Sequence, residues 1–479
     1  MKPILLLELR SMIHDLRLFI FMGVIAVLLS VGAFVSSRNY GKAIAHRNFI
    51  QQNYENGLTD KCRISLEAGA FDIGHIAMKR PNSLLFLVDG GWKDYPDLSV
   101  IWLNNQKVFG HYSKGNYYPK RSPRTEVTYF GFLKWDMMFI IQVLFSFMIV
   151  ILTYNTISKE KELGTLRLVL SNSLPRYKVI LGKVLAAFSV INVTLIIGIL
   201  LELLVVVAIG KIPLESSVLP RIVFFYFVSS GYILLWVLLS VFVSCSFPRS
   251  TTCLVYLLLI WITLILIIPS MGKVFVDKAV GKIPSEAEIE NVGTVLDNEL
   301  MELWRSKKNT GYRGGPERSK DDGHLWERNS LLYINEFEER INRFQYSVSK
   351  KKIDQLRFLY NFASISPAFL YRRISEALTN NGVEREYRFL TSIQRYRKEL
   401  MDTFKELDKR DKDSPHLAFL PRYMSQKPID PGLIPRFKEI FPSSIDLLVE
   451  SKWLIALFFI EVIALFLMCH ISFLRYDPT

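Results

Sequence analysis

Residues 137–210 read MMFIIQVLFSFMIVILTYNTI (137–157), SKEKELGTLRLVLSNSLPRYK (158–178) and VILGKVLAAFSVINVTLIIGILLELLVVVAIG (179–210). Two apolar runs flank a charged insert. An α-helix rises about 1.5 Å per residue, so each run is long enough to cross a hydrocarbon layer about 30 Å thick. The Lys/Arg excess of the insert over Glu160 and Glu162 predicts that it stays on the cytoplasmic side. The rest of the chain hangs on this membrane hairpin with a basic cytoplasmic tip.

Four further features of the whole chain support that reading. The 479 residues carry a formal charge of +14, are 50% hydrophobic and have a mean hydropathy of +0.22. Repeated apolar runs of about 20 residues argue for an integral membrane protein rather than a string of soluble domains. The positive charge is clearest in short segments beside those runs, so the positive-inside rule accounts for it and nucleic acid is not an expected partner. The 4 cysteines (Cys62, Cys245, Cys253, Cys469) form no CxxC pair, and only Cys62 falls outside the membrane-and-cytoplasm side, which excludes an intrachain disulfide there.

In chain order, 1–17 is basic and amphipathic, with Leu5, Leu6, Leu9, Met12, Ile13 and Leu16 at helical spacing. It is expected to lie in the cytoplasmic interface, or else simply to extend the first span. Residues 18–35 form span one. Its apolar run exceeds a usual signal core, and the small-residue site Ala43-Ile44-Ala45 is distant, so an uncleaved anchor is expected. Residues 36–136 read as a small α+β outer domain, with strands at Leu84–Val88 and Val100–Leu103 and turns at Gly69, Gly74, Gly90 and Gly91. Spans two and three are 137–157 and 179–210, span four 222–244, span five 253–270, closed by Pro269, and span six 453–474. Between the last two lies a larger, near-neutral, helical outer domain, 271–450. Two stripes, Ile334-Phe337-Ile341-Phe344-Val348 and Ile393-Tyr396-Leu400-Phe404-Leu407, predict antiparallel helices sharing a small core. Residues 411–444, with six prolines, read as an extended return strap. Six spans place both termini in the cytoplasm, in a mainly α multi-pass membrane protein.

No G-x-x-x-x-G-K-[ST], HExxH, GxSxG or Rossmann fingerprint occurs, and no Cys/His pair has zinc spacing. The chain is therefore not expected to be an enzyme or to hold a cofactor or metal. Two acids fall inside spans, Glu202 and Glu461. An ionised carboxylate in hydrocarbon is costly, so each is expected to face protein or water, either on a substrate path or in a structural pair.

Within the insert, Glu160-Lys161-Glu162-Leu163-Gly164-Thr165-Leu166, then Leu170-Ser171, Pro175-Arg176 and Leu181-Gly182-Lys183, resembles the ABC-2 type membrane subunits of ABC transporters. The six-span layout and amphipathic start match as well. Lys79-Arg80-Pro81-Asn82-Ser83-Leu84 with Gly90-Gly91 is similar to the first outer domain of a bacterial subgroup with enlarged extracytoplasmic loops. Ile365-Ser366-Pro367-Ala368, Glu376-Ala377-Leu378, Tyr387-Arg388-Phe389-Leu390 and Tyr396-Arg397 resemble its second.

The resemblance implies a fold of six transmembrane helices of ABC-2 type and a bacterial cytoplasmic (inner) membrane location. It implies that 158–178 is a cytoplasmic coupling helix docking on a separate ATPase subunit, which would hold the ATP and Mg. The implied contacts are Glu160, Glu162, Leu163, Gly164, Thr165, Leu166 and Arg167, with Leu168 and Val169 beside them, and Arg249 in the inner turn Ser246–Ser250. It also implies a second permease subunit, identical or not. Two functions follow: a permease that exports a substrate, and a mechanical complex that passes work to a periplasmic or envelope protein without moving a solute. A receptor-like membrane protein without an ATPase is a third.

Overall fold

The computed structural model describes residues 2–90, 97–103, 136–171, 175–213, 218–306, 325–419 and 422–475. The chain is mainly α. In order come α1 (Lys2–Ile13), α2 (Leu16–Ile64), α3 (Leu66–Phe71), β1 (His75–Met78), β2 (Leu98–Ile101) and α4 (Met137–Phe139). A π-helical turn, Ile140–Phe145, joins α4 to α5 (Ser146–Thr153). Then follow α6 (Ser158–Glu162), α7 (Thr165–Ser171), α8 (Arg176–Ile209), α9 (Leu219–Ser246) and α10 (Ser250–Ile262). A second π turn, Thr263–Ile267, leads into α11 (Ile268–Ala279). Last come α12 (Glu286–Ser306), α13 (Leu325–Ala363), α14 (Pro367–Leu378), α15 (Val383–Lys409) and α16 (Ser444–Leu474). Six helical stretches among the described residues are long and apolar enough to cross a membrane: Leu16–Ile64, Met137–Glu162, Arg176–Ile209, Leu219–Ser246, Ser250–Ala279 and Ser444–Leu474.

These helices make one bundle. α9 is apolar around its circumference and occupies the centre, where Tyr232, Leu235, Trp236 and Val237 have no exposure. α10 and α16 show most of their surface outward. One end of the bundle gathers α1, α6, α7, the α9–α10 turn and the end of α16. The other gathers the described residues between α2 and α4 and between α11 and α16. Caps mark where the chain turns: Asp15 accepts from Arg17 N–H at the start of α2, and Ser443 and Asp446 form a capping box on α16.

The part expected to lie outside departs from expectation in several ways. α2 does not stop at Val35. It continues to Ile64, about 74 Å in all, because no Pro follows the apolar run and Gly41 and Gly57 are tolerated within the helix. Its far half carries Tyr54, Leu58 and Cys62 into a core with α3, the antiparallel pair β1–β2, α15 and the strap. The stripe Ile393, Tyr396, Leu400, Phe404 and Leu407 is buried there rather than against α13, whose Ile353 and Leu356 pack instead with Val383. In the other stripe Ile341 and Phe344 are half-buried and Val348 is buried. The two outer segments thus share a core. The strap is extended as expected, and its backbone bonds α2 and α3 through Ile429 N–H to Cys62 O (3.0 Å) and Leu66 N–H to Lys427 O (2.9 Å).

Leu84–Val88 is a buried turn, not a strand. A short apolar run has no period that separates the two. Its carbonyls receive the start of α4, with Met138 N–H to Leu87 O at 2.9 Å, and Asp89 N–H bonds Asp136 Oδ2 at 2.7 Å. Asn381 Nδ2 donates to Val88 O at 2.7 Å, and Asn82 Nδ2 to Thr379 O at 2.6 Å. Val100–Ile101 is strand, Gly69 lies within α3, and Gly91 and residues 104–135 lie outside the described residues.

Pro269 does not close span five. In the π turn, Ile268 N–H reaches back five residues to Thr263 O. Pro269 has no N–H to offer Leu264 O, and the Ser366 hydroxyl takes that carbonyl instead. The helix runs on to Ala279.

Candidate functional site

The insert between spans two and three is two short helices rather than one. Gly164, at φ +71°, breaks them; a side chain would be strained in that left-handed conformation. Immediately before the break, three consecutive charges reach three different spanning helices. Glu160 Oε1 accepts from Lys183 Nζ of α8 at 2.7 Å. Lys161 Nζ donates to the carbonyls of Ser244, Cys245 and Phe247, at the end of α9, where helical carbonyls lack partners. Glu162 accepts from Ser250 N–H (2.7 Å) and Ser250 Oγ (3.0 Å), capping the N-terminus of α10, where a carboxylate is electrostatically favoured. Ser244 Oγ completes the joint by accepting from the N–H groups of Ile157 (3.0 Å) and Ser158 (2.9 Å).

Of the eight residues the sequence singled out here, the structure therefore divides the set. Glu160 and Glu162 are engaged within the chain, and Leu166 has no exposure. Glu160 is half-buried, whereas Glu162 stays exposed beside its bonds to Ser250. Leu163 is 66% exposed; Gly164, Thr165 and Arg167 are exposed, and Leu168 beside them is 70% exposed. The side chain of Val169 lies outside the described residues. Arg249, exposed, directly precedes Ser250, so the inner turn and the insert sit side by side, as a two-part surface requires.

Sequence reasoning quoted Lys161 and Lys183 in the motif without giving them a role, and passed over Ser244 and Glu8. Lys183 Nζ also contacts Glu8 Oε1 of α1, at 2.5 Å, and its side chain is 3% exposed. One signal was available. A lysine about one turn into an apolar run must find a carboxylate, and α1 and the insert supply the nearest ones.

Glu202 is buried at the opposite end of α8, and neither of its carboxylate oxygens has a hydrogen-bond partner among the described residues. Asp136, which caps α4 through Phe139 N–H (2.8 Å), is also buried, and burial pushes its carboxyl up to about 7. Nearby, α14 wedges into the bundle, with Tyr371 stacked on Tyr232 (centroids 4.5 Å apart) and bonded to Ser229 Oγ at 2.8 Å. Glu461 is half-buried mid-way along α16, and its Oε2 lacks a partner among the described residues. Glu202 and Glu461 are not brought together with the α6–α7 junction. Among the described residues no group of three or more His, Cys, Asp or Glu has the geometry to hold a metal ion.

One family model, described as ABC-2 family transporter protein, matches residues 3–477. No curated protein matches the sequence.

Proposed function

The chain belongs to the ABC-2 family of transporter proteins, and from that premise we propose that it converts ATP hydrolysis by a separate ATPase subunit into export or other transmembrane work. Family membership makes it a permease subunit and a multi-pass membrane protein of an ABC transporter system. The observation that carries the finer reading is the junction at α6. A push on the α6–α7 segment reaches α8, α9 and α10 together, because one side chain each ties it to those helices. Such a bolted element transmits rigid-body motion.

In this reading the ATPase docks on Leu163, Gly164, Thr165, Arg167, Leu168 and Arg249. Glu160 and Glu162 hold register through their bonds to Lys183 and Ser250, and Leu166 anchors the segment. ATP and Mg bind the partner, and this chain is not itself an enzyme. The α6–α7 end faces the cytoplasm of a bacterial inner membrane, with both termini there. A second permease subunit completes the assembly, for which the outward surfaces of α10 and α16 leave room.

One observation favours the mechanical alternative. α4 and α5 run from the α6 junction to the buried turn 84–89, which is hydrogen-bonded to the α14–α15 connection of the outer body. Motion of span two is thereby delivered to the outer body, where an envelope partner would receive it.

The test is purification of the tagged protein in mild detergent, with mass spectrometry of what accompanies it. An ATPase subunit at near-equal stoichiometry is expected. Its absence even after crosslinking would remove the ABC coupling reading. An envelope protein whose recovery changes with nucleotide would select the mechanical alternative over solute export.

A further inference from the structure

We propose that Lys183 is a positioning residue that locks α1 to the α6–α7 segment, so that the N-terminal helix moves with that segment as one body. The idea rests on the coupling reading for its purpose, although the lock itself is a property of this chain alone.

The geometry is a single ammonium between two carboxylates from different elements. Lys183 Nζ lies 2.5 Å from Glu8 Oε1 and 2.7 Å from Glu160 Oε1, with the lysine side chain 3% exposed and the two glutamates 20% and 26% exposed. Neither glutamate has another ion-pair partner among the described residues. The second oxygen of Glu160 is buried without a partner there. Lys183 is therefore what holds two like charges together. Without it, Glu8 and Glu160 repel across a partly desolvated gap, where screening is weak.

Packing supports the same joint. At Gly182 a Cβ would come within 3.1 Å of Ile4 Cγ2, so α1 lies directly on α8 at that level. Ile4, Leu9 and Met12 of α1 pack against the membrane core, whereas Leu6 and Leu7 are exposed. Apolar packing alone lets a surface helix slide along its neighbour. A charge triad with fixed donor and acceptor positions does not, because sliding α1 by one turn takes the Glu8 carboxylate away from its ammonium. α1 thus becomes a fourth arm of the junction, beside the ties to α8, α9 and α10.

The experiment uses the full chain with its co-purified ATPase and pairs of spin labels. Leu7→Cys on α1 (70% exposed) and the exposed Ser171→Cys on α7 report the lock, and Leu7→Cys with Leu467→Cys on α16 (52% exposed) reports movement. The four native cysteines are buried. On adding ATP and vanadate, the Leu7–Leu467 distance is expected to change and the Leu7–Ser171 distance to stay. In Lys183→Met the first change is lost and the second distribution broadens, while recovery of the ATPase is unaltered. Lys183→Arg retains wild-type behaviour, and Glu8→Gln, a milder change at the surface, reproduces the broadening should Lys183→Met fail to fold. A Leu7–Ser171 distance that shifts with nucleotide, a Leu7–Leu467 distance that does not, or wild-type widths in Lys183→Met and Glu8→Gln overturn the proposal. With no ATPase recovered, the coupling reading fails separately. The lock is then judged on nucleotide-free protein, where broadening in either variant supports it and unchanged width overturns it.

Discussion

Glu160, Lys161 and Glu162 are neighbours in sequence whose targets lie on three helices far apart in the chain. That arrangement predicts two classes of substitution within residues 163–168. Leu163→Asp or Leu168→Asp removes an exposed apolar side chain from the surface where the ATPase is proposed to dock. If each is buried on docking, its loss costs about 1.5–3 kcal/mol, roughly ten- to a hundredfold in affinity. A titration of purified ATPase against the detergent-solubilised variants measures this, with unchanged thermal stability expected. Leu166→Asp instead places a charge at a site with no exposure, so it should lower the melting temperature whether or not the ATPase is present.

His75 makes a second prediction at this scale. It is buried between Tyr54 and Phe404, its Nδ1 lies 2.9 Å from Tyr54 Oη, and burial lowers its pKa to about 3. The unfolded chain takes up a proton near pH 6.5 and the folded chain does not. Stability from neutral His75 is therefore complete above pH 6.5 and is lost as pH falls from there toward 3, by about 1.4 kcal/mol per pH unit. Melting curves between pH 7.5 and 5.5 should fall less steeply in His75→Phe than in the parent. Equal slopes would show that the ring does not control this window.

At the scale of elements, the two π turns decide how spans two and five pass α14. Ser366 caps the Leu264 carbonyl that Pro269 leaves without a donor. Ser366→Ala should cost about 1–3 kcal/mol, the penalty of a buried acceptor left unpaired. Pro269→Ala restores an N–H that can reach Leu264 O, so the double variant should lose less than the sum of the two single ones. Thermal denaturation of the four proteins in one detergent makes a double-mutant cycle. Strict additivity would mean that the hydroxyl and the proline act independently.

Over the whole molecule, the outer body is tied down by a buried ion pair. Lys79 Nζ contacts Glu386 Oε1 with side chains 1% and 12% exposed, linking the end of β1 to α15, while Arg385 bridges Glu439 of the strap and the Arg80 carbonyl. Burial pushes Lys79 down and Glu386 up, and each partner's charge opposes that push. Lys79→Met leaves a buried carboxylate alone and should cost about 3–5 kcal/mol; Lys79→Met with Glu386→Leu should recover much of it. Limited proteolysis of the outer body and melting temperature are the readouts. Equal stability of the parent and the single variant would mean that Lys79 and Glu386 do not hold the outer body.

The six spans were legible because a membrane demands about twenty apolar residues in a row, a signal that no tertiary contact has to complete. The location of the junction was legible too, since the charges of 158–178 interrupt that signal. Direction was not. Which groups Glu160 and Glu162 bond, and whether Leu166 is buried, depends on where α8, α9 and α10 end in space, and those ends come from residues 20 to 90 positions away. The same holds for Leu84–Val88, whose partners are at 136–138 and 379–381, and for the stripe on α15, which found α2 rather than α13. Length and hydrophobic period are local properties and determine which segments cross. Pairing of buried polar groups is a long-range property, and only the folded bundle decides which charge meets which helix end.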